Sequence, residues 1–161
     1  MNAVIYIHGK GGSAAESEHY KSLFPDCEVI GLDYQTFTPW ETGKEIAYFI
    51  SPIVDMEKLI TNMMQWASVT EQELESEGVI HTDFGEDLSW EYLSYVRIYL
   101  ITWHAPTQIL YGSNDLMTSL ETISDFANKH QATLTVMEGG EHWFHTEDQM
   151  QFLDRWIKKL I

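Results

Sequence analysis

The sequence has little basic charge and almost no cysteine. Nine Lys and Arg stand against 25 Asp and Glu in 161 residues, which gives a formal net charge of −16. Such a surface repels phosphate backbones and anionic lipids, so nucleic acids and membranes are poor partners. The single cysteine, Cys27, cannot form an internal disulfide. This favours a reducing compartment, and we expect the cytoplasm.

Long apolar runs and targeting signals are also lacking. No apolar run reaches the ~18 residues that a membrane-spanning helix needs. The N-terminal MNAVIYIHGK has no basic start and no small-residue cleavage site, so we expect no signal peptide. Hydrophobic residues nevertheless make up 44% of the chain and aromatic residues 13%, which excludes a disordered protein. We expect one domain over residues 1–161 with a sizeable core.

Strand and helix patterns alternate along the chain. Amphipathic patterns with capping residues predict helices, including one that starts near Leu88 and one that Thr118 caps. Short apolar, β-branched runs bounded by turn residues predict five strands, at residues 2–7, 27–33, 47–51, 107–112 and 132–138. This alternation predicts an α/β fold with a mostly parallel sheet.

Residues 55–103 interrupt the alternation with a stretch that we expect to be all-helical. It holds three of the seven Met and three of the six Trp residues, so we interpret it as a cap or lid inserted between two strands. Ordinary packing of helices on the sheet is the alternative. Within this stretch, residues 71–91 hold eight carboxylates and no Lys or Arg. Their spacing matches no calcium-binding loop, so a solvated acidic face explains them better.

Two chemically important residues follow the last two predicted strands. Asp115 comes after the fourth strand and His142 after the fifth. Ligand sites of open α/β sheets gather at the carboxyl ends of the strands, so the two side chains are expected to meet. A carboxylate in that position fixes the imidazole tautomer and stabilises the imidazolium. We expect no cofactor and no metal, because the H-x-x-H of His142 and His145 lacks a matched third ligand.

Three motifs resemble the α/β-hydrolase superfamily of serine esterases, lipases and related acyl hydrolases. They are VIYIHGKGGS at the first strand, ILYGSNDLMT around Asp115 and GGEHWFH around His142. The resemblance implies a three-layer α/β/α sandwich with a helical cap. It also implies hydrolysis of a small-molecule acyl substrate through a covalent serine intermediate, with Asp115 as the triad acid and His142 as the general base.

The glycine-rich turn after the first strand has a role in this comparison. By the resemblance, the loop of Gly9, Lys10 and Gly11 supplies a backbone N–H to the oxyanion hole, where glycines allow close approach. The alternative is a tight strand-to-helix turn with Ser13 as the helix N-cap. A phosphate-binding loop is excluded, because GKGGS lacks the G-x-x-x-x-G-K-[ST] spacing.

The sequence departs from this superfamily at the nucleophile. No G-x-S-x-G occurs in the chain, although the superfamily carries its serine on such a strand–turn–helix elbow. Only residues 34–46 separate the second and third predicted strands, where a helix, the nucleophile strand and another helix belong. About 40 residues are therefore missing by comparison with the usual pattern. We place the junction near residues 45–47.

Two serines are weak substitutes for the missing nucleophile. Ser51 has the order Ser…Asp…His and ends a strand, but the next residue, Pro52, has no N–H for an oxyanion. Ser13 lies in G-G-S-A-A, where a helix N-cap explains it fully. Two alternatives follow: an internally shortened hydrolase, or a remnant that binds ligands or partners without catalysis. A sheet without its central strand exposes pairing edges, which favours association into a homodimer.

Overall fold

The computed structural model describes residues 2–9, 12–33, 46–99 and 103–160. The chain is α/β, as predicted, and the five predicted strands are present to within one residue at each end. None of the helices in these ranges is both long and apolar enough to cross a bilayer. In chain order the elements are β1 (Asn2–Ile7), a 3-10 helix (Ala14–Ser17), α1 (Glu18–Lys21), β2 (Cys27–Leu32), β3 (Ala47–Ile50), α2 (Met56–Trp66), α3 (Glu71–Glu77), β4 (Val79–His81), β5 (Asp87–Ser89), α4 (Trp90–Ile98), β6 (Thr107–Gly112), α5 (Leu120–Lys129), β7 (Thr133–Met137) and α6 (Glu147–Leu160).

The chain divides into two compact units. The first contains Met1–Glu45 and Phe144–Ile161, and the second contains Ile46–Trp143. Each unit has its own parallel sheet, with order β1-β2 in the first and β3-β6-β7 in the second. The expectation of one domain over residues 1–161 stays a prediction.

In the first unit, the 3-10 helix lies directly on β2. A Cβ atom at Gly31 would come within 2.2 Å of the Ala14 carbonyl oxygen, so only glycine permits this approach. The start of the helix is fixed by two carboxylates. The Ser13 N–H donates to Glu16 at 2.8 Å, and the Ala14 N–H donates to Asp33 at 2.7 Å. The second contact joins the helix to the end of β2.

One face of the β1–β2 sheet is apolar and exposed. Ile5 is 40% exposed, Ile30 37% and Leu32 40%. Ile5 lies opposite Ile30 in the parallel register. Parallel sheets are normally buried on both faces, so this exposed face is unusual.

In the second unit, α5 packs against the parallel sheet β3-β6-β7. The strands are in parallel register, with Ile50 opposite Leu110 and Leu110 opposite Thr135. The β-branched and aromatic residues of β6 are Thr107, Ile109 and Tyr111, and they share one face of the sheet because side chains two residues apart in a strand point the same way. On this face Ile109 and Tyr111 meet the apolar side of α5. The buried centre of this packing is formed by Ile109, Tyr111, Ile123 and Ala127.

The prediction that residues 55–103 are all-helical is wrong. The segment contains an antiparallel hairpin, β4–β5, between α3 and α4. Gly78 ends α3 with φ +74, and Gly85 turns the hairpin with φ +86, so both glycines use backbone conformations that other residues rarely adopt. The hairpin is held by packing into a separate apolar cluster, formed by Ile60, Met64, Leu74, Leu88 and Leu93.

A single arginine joins three helices of this segment. Arg97 of α4 donates to Glu57 of α2 at 2.7 Å. It also donates to Glu71 of α3 through both terminal nitrogens, at 2.7 and 3.0 Å. These contacts raise the pKa of the Arg97 guanidinium, and the bond to Arg97 lowers the pKa of Glu71.

Candidate active site

The loops that follow β6 and β7 are held against each other by backbone contacts. A Cβ atom at Gly112 would lie 2.4 Å from the Gly140 carbonyl oxygen, so the close approach needs glycine. The Asn114 N–H donates to the Gly140 carbonyl at 2.8 Å. The Gly139 N–H donates to the Ser113 hydroxyl oxygen, also at 2.8 Å. These contacts fix where Asp115 and His142 leave the sheet.

Asp115 is fully buried and fully hydrogen-bonded. One carboxylate oxygen, Oδ1, accepts the N–H of Met117 at 2.8 Å and that of Thr118 at 3.2 Å. Tyr111 lies next to it and donates its hydroxyl to the Thr118 carbonyl at 2.8 Å. Burial, followed by the charge of Asp115, raises the pKa of Tyr111. The tyrosine therefore stays neutral beside the carboxylate.

His142 meets the other oxygen of this carboxylate. Its Nδ1 lies 2.8 Å from Asp115 Oδ2. The His142 side chain is 16% exposed and that of Asp115 0% exposed. An ionised carboxylate only accepts hydrogen bonds, so Nδ1 carries the proton and Nε2 is left to accept one. This is the orientation that a general base requires.

Ser51 lies at the same edge of the β3-β6-β7 sheet. Its N–H donates to the Leu110 carbonyl at 2.8 Å and continues the pairing of β3 with β6. Its φ of +44 is a left-handed backbone conformation that costs energy in a serine. The buried Oγ finds no hydrogen-bond partner within the described ranges. Ser51 is thus not bonded to His142, and Pro52 offers no N–H beside it.

The predicted oxyanion loop belongs to the first unit. Gly9 accepts the Gly12 N–H at 3.1 Å in a tight turn, while Lys10 and Gly11 lie outside the described residues. Ser13 forms the start of the 3-10 helix with Glu16, as expected of an N-cap residue. Its position in the described structure is explained without a catalytic role.

The sequence analysis missed two contributors to the site, the N–H groups of Met117 and Thr118, which hold the Asp115 carboxylate. The signal for them was the short turn after Asp115 in ILYGSNDLMT, because aspartate side chains often accept hydrogen bonds from backbone N–H groups two residues further on. Among the described residues, no group of three His, Cys, Asp or Glu side chains forms a metal site.

The fold is similar to that of solved α/β hydrolases. Alpha/beta hydrolase domain-containing protein 10 from mouse aligns with a TM-score of 0.69 and 13% identity, over 99% of this chain and 88% of that chain. Est1E from Butyrivibrio proteoclasticus aligns with a TM-score of 0.61 and 12% identity, over 99% of this chain and 86% of that chain. The esterase domain of a Rhodothermus marinus protein gives 0.53 and 9%, over 99% and 85%.

Further comparisons give less coverage or none. Est1E with bound ferulic acid aligns with a TM-score of 0.50 and 14% identity, over 72% of this chain, which spans about half (48%) of that one. No protein-family model and no curated protein sequence matches the chain. At these identities the likeness concerns the fold alone. The chain has the α/β-hydrolase fold.

Proposed function

We propose that this chain carries the acid and base of a serine hydrolase for acyl esters. The observation that carries the proposal is the buried 2.8 Å contact between Asp115 and His142 at the ends of adjacent parallel strands. In such a site, His142 Nε2 takes the proton of a serine hydroxyl while the serine oxygen forms a bond to the acyl carbon. The same proton then passes to the leaving alcohol as the ester bond breaks, and water releases the acid in a second, similar step.

We further propose that this chain has no working nucleophile. The supporting observations are the absence of G-x-S-x-G and the unbonded Oγ of Ser51. Pro52 adds to this, because the residue after a nucleophile normally donates an N–H to the oxyanion. An acid and a base without a nucleophile retain little more than the contribution of binding. The chain is therefore a shortened hydrolase with impaired activity.

The direct experiment compares the natural chain with its His142→Ala variant. We expect equal rates on p-nitrophenyl acetate and no labelling of either protein by a fluorophosphonate probe. A second variant carries a helix–strand–G-x-S-x-G–helix segment inserted between Glu45 and Ala47. Probe labelling should appear in that variant and should disappear again with His142→Ala. Stoichiometric labelling of the natural chain, mapped to Ser51 or Ser13, would instead show a substitute nucleophile.

The remaining features of the proposal follow from the hydrolase chemistry. The substrate is a small-molecule acyl compound, the oxyanion N–H comes from the loop of Gly9, Lys10 and Gly11, and residues 55–103 act as the cap over the site. We keep the cytoplasm as the proposed compartment because Cys27 is a free thiol. We propose no nucleic-acid or membrane partner, because the net charge of −16 repels nucleic acids and anionic lipids.

The alternative function is a non-catalytic module that binds ligands or associates with itself. The observation that favours self-association is the exposed apolar face of the β1–β2 sheet, with Ile5 opposite Ile30. A second copy of the chain is the proposed partner, since pairing two such faces buries both.

A further inference from the structure

Three exposed apolar side chains stand beside the buried pair of Asp115 and His142. Leu116 directly follows the acid and is 85% exposed, and Trp143 directly follows the base and is 56% exposed. Met117, the residue after Leu116, is exposed as well. We call Leu116, Met117 and Trp143 the apolar rim. Because Asp115 and His142 are bonded to each other at 2.8 Å, all three side chains leave the backbone within two residues of the bonded pair.

Folding does not account for the leucine of the apolar rim. The turn after Asp115 is held by its carboxylate, which accepts the N–H groups of Met117 and Thr118, so the Leu116 side chain adds nothing to these hydrogen bonds. Tight turns are usually built from Gly, Pro, Asn, Asp or Ser. A leucine at this exposure also contributes little to the core. Large apolar groups on loops that a rigid scaffold positions are typical of ligand-binding surfaces.

Trp143 contacts the imidazole of the proposed base directly. The ring centroids of Trp143 and His142 lie 5.2 Å apart and the ring planes are 86° apart, which is an edge-to-face arrangement. Asp115 holds Nδ1 of the imidazole, and Nε2 takes the proton in the proposed reaction. A substrate group that lies against the exposed part of the indole is therefore close to the ester that reacts.

The two stretches of chain that carry the apolar rim are acidic. Residues 98–128 hold three carboxylates and no Lys or Arg, and residues 130–143 hold two carboxylates and no Lys or Arg. Lys58 and Leu116 line the same cavity, but two carboxylates share that lining, so the net charge there is also negative. An uncharged group is therefore favoured beside the rim over a carboxylate or a phosphate, which these charges repel.

We propose that the apolar rim selects substrates whose ester carries an uncharged aromatic group, and that this group stacks on the indole of Trp143. An aromatic group gains more there than an alkyl group of equal size, because aromatic pairs are stabilised beyond the apolar area that they bury. The inference rests on the proposed function, since it takes His142 as the base beside which the ester lies. It adds the class of substrate that this site accepts.

The test measures binding without turnover, so it does not depend on a nucleophile. The probe is acetanilide, an uncharged amide with a phenyl group, titrated into the natural chain and followed by the NMR signals of the Trp143 indole N–H and of the Leu116 and Met117 amides. We expect saturable shifts with a Kd on the order of 1–10 mM, as for other ligands of about ten heavy atoms.

Two analogues of the probe test the chemistry of the ligand. N-cyclohexylacetamide keeps the size and the amide but lacks the aromatic ring, and it should bind about threefold more weakly than acetanilide. 4-Acetamidobenzoate adds a carboxylate to the same ring. It should bind about fivefold more weakly in low salt, and the difference should shrink as salt is added.

Matched variants assign the binding to the apolar rim. Trp143→Ala should weaken acetanilide binding about three- to tenfold, whereas Trp143→Phe, which keeps an aromatic face, should retain most of it. Leu116→Ser should weaken binding about twofold and keep the melting temperature of the natural chain, because this side chain lies outside the core. Trp66→Ala removes a tryptophan that is equally exposed, at 55%, from the end of α2, and should leave the affinity unchanged.

Four results would overturn the proposal. They are no saturable shift of the rim signals with acetanilide, an unchanged affinity in Trp143→Ala, a loss in Trp66→Ala as large as that in Trp143→Ala, and tighter binding of 4-acetamidobenzoate than of acetanilide. None of them bears on Asp115 and His142 as acid and base. Conversely, fluorophosphonate labelling of the natural chain would refute the lack of a nucleophile and leave the role of the rim intact, so the two proposals fail separately.

Discussion

Gly112 controls how closely the loop bearing His142 approaches the loop bearing Asp115. Replacing Gly112 by Ala would place a Cβ atom 2.4 Å from the carbonyl oxygen of Gly140. The Cβ is attached to one backbone and the oxygen belongs to another, so neither atom can move aside by a side-chain rotation. We expect Gly112→Ala to lower the free energy of unfolding by about 1–3 kcal/mol, as overpacking of a tight site does. Urea unfolding followed by tryptophan fluorescence measures this.

Gly9→Ala is the matched control for this substitution. Apart from its neighbours in the chain, none of the described residues has an atom within 4 Å of the position where the Gly9 Cβ would be built, so the unfolding free energy should be unchanged or slightly higher. If Gly112→Ala were as harmless as Gly9→Ala, the close packing of the two loops would not be needed.

Asp115 determines which nitrogen of His142 carries the proton. In Asp115→Asn, the side-chain oxygen must still accept the N–H groups of Met117 and Thr118, so its amide NH₂ faces His142 Nδ1. That nitrogen must then accept, and we expect the proton to move to Nε2. Long-range ¹H–¹⁵N spectra of the imidazole report the tautomer directly, and stability should fall by about 1–3 kcal/mol.

The control for the tautomer experiment is an exposed histidine of the same unit. His81 pairs with Asp87 at 2.7 Å on the hairpin, and its ring signals should not change in Asp115→Asn. A natural chain whose neutral His142 already carries its proton on Nε2 would contradict the proposed base.

At the scale of elements, two stacked tyrosines join β1 to α1. The ring centroids of Tyr6 in β1 and Tyr20 in α1 lie 5.0 Å apart. Burial, and then the charges of Glu16 and Asp154, raise the pKa of Tyr20 from 10.0 to about 12. The unfolded chain therefore loses this proton first, and stability that is complete below pH 10 falls as the pH rises towards 12. Urea unfolding across this interval should show the decrease.

The Tyr20→Phe variant identifies the group responsible for this pH dependence. It removes the ionisable hydroxyl, so its unfolding free energy should fall less steeply between pH 10 and 12. Tyr99→Phe, at an exposed tyrosine after α4, should keep the dependence of the natural chain. Identical pH profiles for the natural chain and Tyr20→Phe would assign the alkaline loss of stability to other groups.

The strands were predictable from the sequence, whereas the β4–β5 hairpin was not. Strands such as Asn2–Ile7 and Thr107–Gly112 are continuous apolar runs between turn residues, which is a local signal. Each strand of the hairpin has only three residues, in an acidic stretch. It depends on Leu88, which is packed against residues distant in sequence, and tertiary contacts of this kind leave no periodic pattern.

Helix starts were predicted one or two residues early for a related reason. Thr118 was expected to cap α5, but its N–H is bonded to Asp115, and the cap is Ser119. The helix expected from Leu88 starts at Trp90, after the cap Ser89, because Leu88 belongs to the hairpin.

The contact between Asp115 and His142 was predictable from the sequence, because the ends of parallel strands share one edge of a sheet. The N–H groups of Met117 and Thr118 that donate to Asp115 were not predicted, because their positions depend on the geometry of the turn.

At the scale of the whole molecule, a strong negative charge opposes the burial of an exposed apolar face. Each chain carries a net charge of −16, which repels a second copy, whereas pairing of the β1–β2 faces removes isoleucine and leucine side chains from water. In 0.1 M salt the repulsion between charges extends over about 10 Å, and at higher salt concentrations its range is much shorter. Association through this face should therefore become stronger as salt is added.

We predict that the natural chain forms a dimer of twice 18.7 kDa, with a dimer fraction that rises with sodium chloride. Ile30→Gln places a polar side chain of similar size in the centre of the face, without changing the net charge, and should give the monomer mass at all salt concentrations. Ile98→Gln makes the same change on α4, at an isoleucine that is 73% exposed against 37% for Ile30, so it should dimerise like the natural chain. Light scattering after size exclusion measures the three masses. A natural chain that stays monomeric in high salt would contradict the prediction. Loss of the dimer in Ile98→Gln would also contradict it, because the interface would then involve α4 instead of the β1–β2 face alone.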